Sequence, residues 1–281
     1  MRHAVLGPGG VGGVIGAALA GSGSPVTFIT RDPDYPTRVS VESDKLGSFE
    51  AEVAATTRLD TPVDVLWVTT KATQLEAALP SAPAALVEGT VVPLLNGADH
   101  VGRLRELYAA VTPGTIRVEA EKVAAGRFVQ RGAFIRVELC GVMAADVAEE
   151  LEAAGIEARV ANDELGMLWR KLVMLAPLAL TTTATMRSIG GVRDDPRWRE
   201  RLLGVFDEAC DVAGALGARV DREQSRGLLL AMPDFMRSSM QKDREQERPL
   251  ELDAIAGPIV RGGREHGIPT PHTSILQSLL G

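Results

Sequence analysis

The chain has 281 residues, 45% hydrophobic and 24% charged, which allows two domains with real cores and excludes disordered or collagen-like architectures. Lys and Arg number 30 against 37 Asp and Glu, a formal charge of -7 with no long basic run, so neither nucleic acid nor a membrane surface is an expected partner. Its two cysteines, Cys140 and Cys210, would close at most one bridge, which is no secreted disulfide framework and suits a reducing cytoplasm.

Residues 4–30 carry no Asp, Glu, Lys or Arg, and Arg2 precedes them, which superficially matches a signal peptide. Eight glycines and Pro8 interrupt that stretch, and each interior glycine costs a helix about 1 kcal/mol relative to alanine. The pattern instead predicts a strand over residues 3–6, a turn at Gly7-Pro8-Gly9-Gly10, and a helix whose Val11, Ile15 and Leu19 share one face. Gly21-Ser22-Gly23 stops that helix, and the β-branched and aromatic residues 26–30 form a second strand. Further strands are predicted at residues 65–69 and 91–95, with a short helical pattern over 73–79 that Pro80 ends, so the sheet is parallel. Charged and apolar residues alternate over 116–141, predicting antiparallel strands, before a helix at 144–154 and a strand at 156–160.

Beyond Asn162-Asp163 nearly everything carries helical periodicity. Residues 172–186 read as a buried helix, shorter than the roughly 20 residues that span a bilayer, and Pro177 should kink it. Leu202, Phe206, Ala209, Ala213 and Leu216 form one apolar stripe closed by Gly217. Such stripes would serve a homodimer or lie wholly inside the domain. The expected fold class is α/β, a dinucleotide-binding parallel-sheet domain over residues 1–163 followed by an all-helical domain over 164–281.

Gly7, Gly9 and Gly12 match G-x-G-x-x-G between a strand and a helix, with Gly10 and Val11 completing the turn. Gly7 permits the tight turn, Gly9 lets a pyrophosphate approach the backbone, Gly12 lets the helix pack on the sheet, and the helix N-terminus faces the phosphates. At the end of the second strand, where an acidic residue would hold the ribose of NAD, the chain reads Thr30-Arg31-Asp32. Arg31 favours a 2′-phosphate and hence NADP(H), although Asp32 rotating inward would accept NAD, and Arg31 taken alone is equally a solvated turn residue. Lys71 and Gln74 follow the strand at 65–69 and fall on the carboxyl edge of the sheet; Asn96-Gly97 falls on the same edge, where an Asn-Gly pair also makes an ordinary turn.

No metal-ligand spacing links His3, His100, His266 and His272, and G-x-S-x-G is absent, so neither a metal nor a serine nucleophile is expected. The remaining chemistry-bearing groups are Lys171, inside Trp169-Arg170-Lys171-Leu172-Val173, and Glu251, inside Pro249-Leu250-Glu251-Leu252-Asp253. By themselves these read as a surface helix lysine and an exposed first-turn carboxylate.

Taken in order, the glycine turn, Arg31, Lys71 with Gln74, Asn96-Gly97, Leu168-Trp169-Arg170-Lys171-Leu172, Ser238-Ser239-Met240 with Asp243, Glu251-Leu252-Asp253 and Gly267-Ile268-Pro269-Thr270-Pro271 resemble the ketopantoate reductase (2-dehydropantoate 2-reductase) family over nearly the whole chain. The resemblance implies NADPH-dependent reduction of a small-molecule 2-oxo acid to a 2-hydroxy acid, in a cleft between a Rossmann domain and a helical domain. It implies that Lys171 is the catalytic lysine, Glu251 the catalytic carboxylate, and Ser239 a ligand of the substrate carboxylate. Asn96 would lie near nicotinamide and substrate, while Arg31, Lys71 and Gln74 would hold the adenosine end of the cofactor.

Four positions depart from the family, which carries amides where this chain has Leu175, Ala179, Met236 and Ala256. Each lost amide removes about 0.5–1.5 kcal/mol of neutral hydrogen bonding, or about 1.5–3 kcal/mol where the partner is charged. The expected substrate is therefore a larger or more apolar 2-oxo acid, ketone or imine. Two rival readings are a non-catalytic NADP(H)-binding sensor and a related 3-hydroxyacid dehydrogenase or imine reductase.

Overall fold

In a computed structural model describing residues 1–281, the chain opens with β1 (His3–Leu6), α1 (Gly10–Gly21) and β2 (Val26–Ile29). Next come β3 (Arg38–Ser43), β4 (Gly47–Glu52), β5 (Ala54–Thr56), β6 (Val63–Val68), the single turn α2 (Leu75–Ala78), β7 (Val87–Pro93) and α3 (His100–Arg105). The hairpin β8 (Gly114–Ala124) and β9 (Arg127–Leu139), then α4 (Ala144–Ala153) and β10 (Glu157–Val160), complete this α/β part.

Five strands form a parallel sheet in the order β5-β2-β1-β6-β7, the Rossmann-type arrangement, with β1 paired to β2 and β6. Every residue of β1 is buried, as a central strand covered on both faces requires. A second sheet, ordered β10-β9-β3-β4 with β8 antiparallel on β9, was only half visible in the sequence. β3 and β4 were not anticipated, because the one is short and half polar and the other buries only Ala51 fully. β5 was also missed: three residues carry no period of their own, and the strand exists by pairing with β2.

Helix α1 is wedged between the two sheets. A Cβ on Gly12 would overlap Thr69 and Val5 of the parallel-sheet side, one on Gly16 would overlap Phe28, and one on Gly13 would run into the Phe128 ring of β9. The glycines that weaken the helix as a helix thus let it approach both neighbours.

The helical part comprises α5 (Glu164–Thr185), α6 (Ile189–Arg193), α7 (Pro196–Ala215), α8 (Arg222–Leu230), α9 (Ser239–Glu245), α10 (Leu252–His266) and α11 (Pro271–Leu280). By its contacts the chain falls into two units, Met1–Leu95 with His100–Glu164, and Asn96–Asp99 with Leu165–Gly281. Helix α5 is long and apolar enough to cross a membrane, yet most of it is buried in this protein, as a core helix is. It continues past Pro177 to Thr185, and its buried Thr181 and Thr182 hydroxyls donate to the Pro177 and Leu178 carbonyls at 2.6 and 2.7 Å.

Helices α10 and α11 both pack on α7, whose buried face holds Leu202, Phe206, Ala209 and Ala213. Buried Glu208, on α7, caps α11 from outside: its carboxylate accepts from the His272 and Thr273 amides at 2.6 and 2.8 Å and from the Thr273 hydroxyl at 2.6 Å. Those amides belong to the uncapped first turn of α11, where a negative charge also complements the helix dipole. Glu208→Ala should cost about 2–3 kcal/mol in urea unfolding, with Glu208→Gln in between; a loss below about 1 kcal/mol would refute the cap.

Candidate functional site

The glycine turn is held at its start by Thr69, whose hydroxyl donates to the Leu6 and Gly7 carbonyls at 3.2 and 2.9 Å. Gly7 has φ 82°, the left-handed region, and any side chain there would strike Thr70. At Gly9 the direction a Cβ would take is open, with nothing nearer than the Gly7 carbonyl at 4.0 Å. Gly10 lies so close to the Ala120 carbonyl of β8 that no side chain fits, and half-buried Val11 follows it. Gly9 occupies the N-cap of α1 without a side-chain cap, which leaves the first-turn amides for an anion. Beside Gly7, the Thr70 hydroxyl is buried and has no partner within the protein. An open approach, uncapped amides and an orphaned hydroxyl fit a bound diphosphate.

Arg31 is exposed just beyond β2. Asp32 is folded into its own loop, its Oδ1 accepting from the Asp34 amide at 3.0 Å while its amide donates to Thr30 Oγ1 at 3.2 Å. Half-buried Lys71 precedes a single turn of 3-10 helix, Ala72–Gln74, after β6, and Gln74 there is exposed. Because β1, β2 and β6 run parallel, the glycine turn, Arg31, Lys71 and Gln74 all leave the same, carboxyl edge of the sheet.

In the helical unit, Lys171 is half-buried on α5 between buried Trp169 and Leu172. Leu175, one turn on along the same face, is also half-buried, and Ala179 after it is fully buried. Glu251 stands immediately before α10 and is 5% exposed, so it is no solvated first-turn carboxylate. Its Oε2 accepts from the Asn96 side-chain amide at 3.1 Å, across 155 residues of sequence. Asn96 thus stands with the helical unit although it leaves the end of β7. The Asn-Gly pair still makes its turn, with Gly97 at φ 90°.

Ser239, the first residue of α9, is exposed, whereas Ser238 is buried and caps α9, accepting from the Gln241 amide at 3.0 Å and sharing a hydrogen bond with Thr182 Oγ1 at 2.8 Å. Met236 is half-buried and Ala256 fully buried. The sequence reading named Ser238 within its segment without giving it a role, and did not single out Asp99 or Arg261. The last two form an ion pair whose partners lie 162 residues apart, and only the Asp99 position beside Asn96-Gly97 hinted at it.

No group of three or more His, Cys, Asp or Glu side chains is placed to hold a metal ion. Burial pushes the Cys140 thiol up and the Cys210 thiol to about 11, which disfavours thiolate chemistry at neutral pH.

Two family models match the chain, "Ketopantoate reductase PanE/ApbA" over residues 3–139 and "Ketopantoate reductase PanE/ApbA C terminal" over residues 163–281. The 2-dehydropantoate 2-reductase of Mycobacterium tuberculosis (strain ATCC 25618 / H37Rv) is 32% identical over an alignment covering 99% of this chain and 96% of the relative. That of Caulobacter vibrioides is 30% identical, covering 99% and 97%. Among solved structures, a PanE/ApbA family ketopantoate reductase from Ralstonia eutropha JMP134 aligns with a TM-score of 0.90 at 25% identity, covering 100% of this chain and 97% of that one. A D-mandelate dehydrogenase solved with NADH and anilino(oxo)acetate aligns with the same TM-score of 0.90 at 21% identity, covering 100% and 97%, a likeness of fold.

Proposed function

The chain belongs to the ketopantoate reductase family, and from that premise we propose that it is an NADPH-dependent reductase of a 2-oxo acid bearing an apolar side chain. The observation that carries this reading is the Asn96–Glu251 hydrogen bond, which joins a buried carboxylate to a side-chain amide in the helical unit.

The bound nicotinamide would supply the hydride. Lys171 holds a proton for the substrate oxygen and stabilises the negative charge that grows there. Glu251, with one carboxylate oxygen held by Asn96, orients the ammonium and the substrate, while Ser239 donates to the substrate carboxylate. Arg31, Lys71 and Gln74 hold the adenosine end, and the uncapped start of α1 at Gly9, Gly10, Val11 and Gly12 receives the diphosphate beside Gly7. Asp32 holds one carboxylate oxygen on the Asp34 amide within its own loop, and exposed Arg31 beside it suits a 2′-phosphate.

The apolar preference rests on half-buried Leu175 and Met236, which offer no hydrogen-bond donor where the family carries amides, while Ala179 and Ala256 are buried within the helical core. The test is NADPH consumption with pyruvate, 2-dehydropantoate, 4-methyl-2-oxopentanoate and benzoylformate. A kcat/KM that rises with apolar side-chain size supports the reading, and a preference for 2-dehydropantoate over the other three refutes the altered specificity. For the cofactor, Arg31→Ala should raise the Kd for NADPH about tenfold and leave that for NADH unchanged, as read by nucleotide fluorescence titration. Equal changes for both nucleotides would dismiss the 2′-phosphate role.

A further inference from the structure

The segment Asn96–Asp99 is fastened to α10 at points about one helical turn apart. At the start of the helix, Asn96 donates to Glu251. One turn along, Gly97 sits at φ 90° against the Ala254 carbonyl, too close for any side chain. Another turn along, Arg261 folds back over Gly257, where a Cβ would overlap its guanidinium. From there it forks, Nη2 donating to Asp99 Oδ2 at 2.5 Å and Nη1 to Asp253 Oδ1 at 2.6 Å.

We infer that Arg261 is a positioning residue for the catalytic carboxylate: by tying Asp99 to Asp253 it keeps the Asn96 amide on Glu251. This rests on the reading of Glu251 as catalytic. Asp99, three residues beyond Asn96, is the far end of a short segment that, between Asn96 and Asp99, touches the helix through a glycine. Releasing that end leaves Gly97, with its wide conformational latitude, next to the amide that must stay within hydrogen-bonding distance. Arg261, Asp99 and Asp253 are all about half exposed or more, and exposed ion pairs contribute little to global stability. The network's effect therefore belongs to local geometry, where small displacements weigh heavily on turnover.

The experiment is a double-mutant cycle on the intact chain with NADPH and the fastest of the four oxo acids above. Arg261→Gln should lower kcat about tenfold with the NADPH Kd and the urea midpoint unchanged, and Asn96→Ala at least as much. The Asn96→Ala/Arg261→Gln double variant should be no slower than Asn96→Ala alone, because Arg261 acts through that amide. NMR order parameters of the backbone amides at residues 97–99 should fall in Arg261→Gln, independently of activity. Additive losses in the double variant, or order parameters at 97–99 that stay as in wild type, overturn the inference. Full kcat in Glu251→Gln would instead refute the role of Glu251, and the inference with it, while leaving the order parameters to report the tether by themselves.

Discussion

Lys171→Ala lowers kcat about a thousandfold while the Kd for NADPH stays within about twofold of wild type. The size follows from the two tasks proposed for one group: general acid catalysis contributes about 10²–10⁴ in rate, and removing one donor to a developing oxyanion costs about 10²–10³. The two are not additive when a single ammonium performs both. The unchanged Kd follows from where the groups stand, since the glycine turn, Arg31, Lys71 and Gln74 belong to the α/β unit and Lys171 to the helical unit. Lys171→Arg separates the tasks. A guanidinium keeps the charge but does not release a proton near neutral pH, so this variant should recover only part of the rate. Single-turnover measurement of NADPH oxidation checks all three proteins, and a Lys171→Ala enzyme within tenfold of wild type would remove the lysine from the chemistry.

Leu175→Asn combined with Met236→Asn should raise kcat/KM for 2-dehydropantoate about a hundredfold. Two restored hydrogen bonds at about 1.4 kcal/mol each give that factor, within the range measured for neutral and charge-assisted bonds. These two positions are chosen because both are half-buried, so an amide there retains access to water or substrate. Ala179 and Ala256 are fully buried, and an asparagine at either would overpack the helical core and strand a polar group in it. The same double variant should lose efficiency with benzoylformate. If both substrates respond alike, the side chains at 175 and 236 do not discriminate between them.

The parallel sheet was legible because its central strands are apolar on both faces and its glycine turn has a pattern of its own. The second sheet was not. Val39 and Val41 alternate with Arg38, Ser40 and Glu42 in β3, a genuine period of two, but over so few residues that it does not stand out from a charged loop. In β4, Phe49 and Ala51 alone mark the inner face, and what makes the segment a strand is its antiparallel register with β3. The site shows the same limit. Glu251 and Asn96 could be named from motifs, but their hydrogen bond is a tertiary fact. Arg261 was invisible for a different reason: it pairs with Asp253 eight residues earlier on one helix, beyond the usual spacing of three or four. The bare surface of Gly257 midway is what makes that reach feasible.

Helix α1 has a consequence for the speed of nucleotide capture. Phe28 and Val5 on one side and Phe128 on the other pack directly on its glycines, which restrains tilting and sliding. Its terminal amides therefore stand in their working orientation before any phosphate arrives, and little chain entropy is lost when one docks. Association should then proceed in one kinetic phase, linear in nucleotide concentration, with no slower isomerisation behind it.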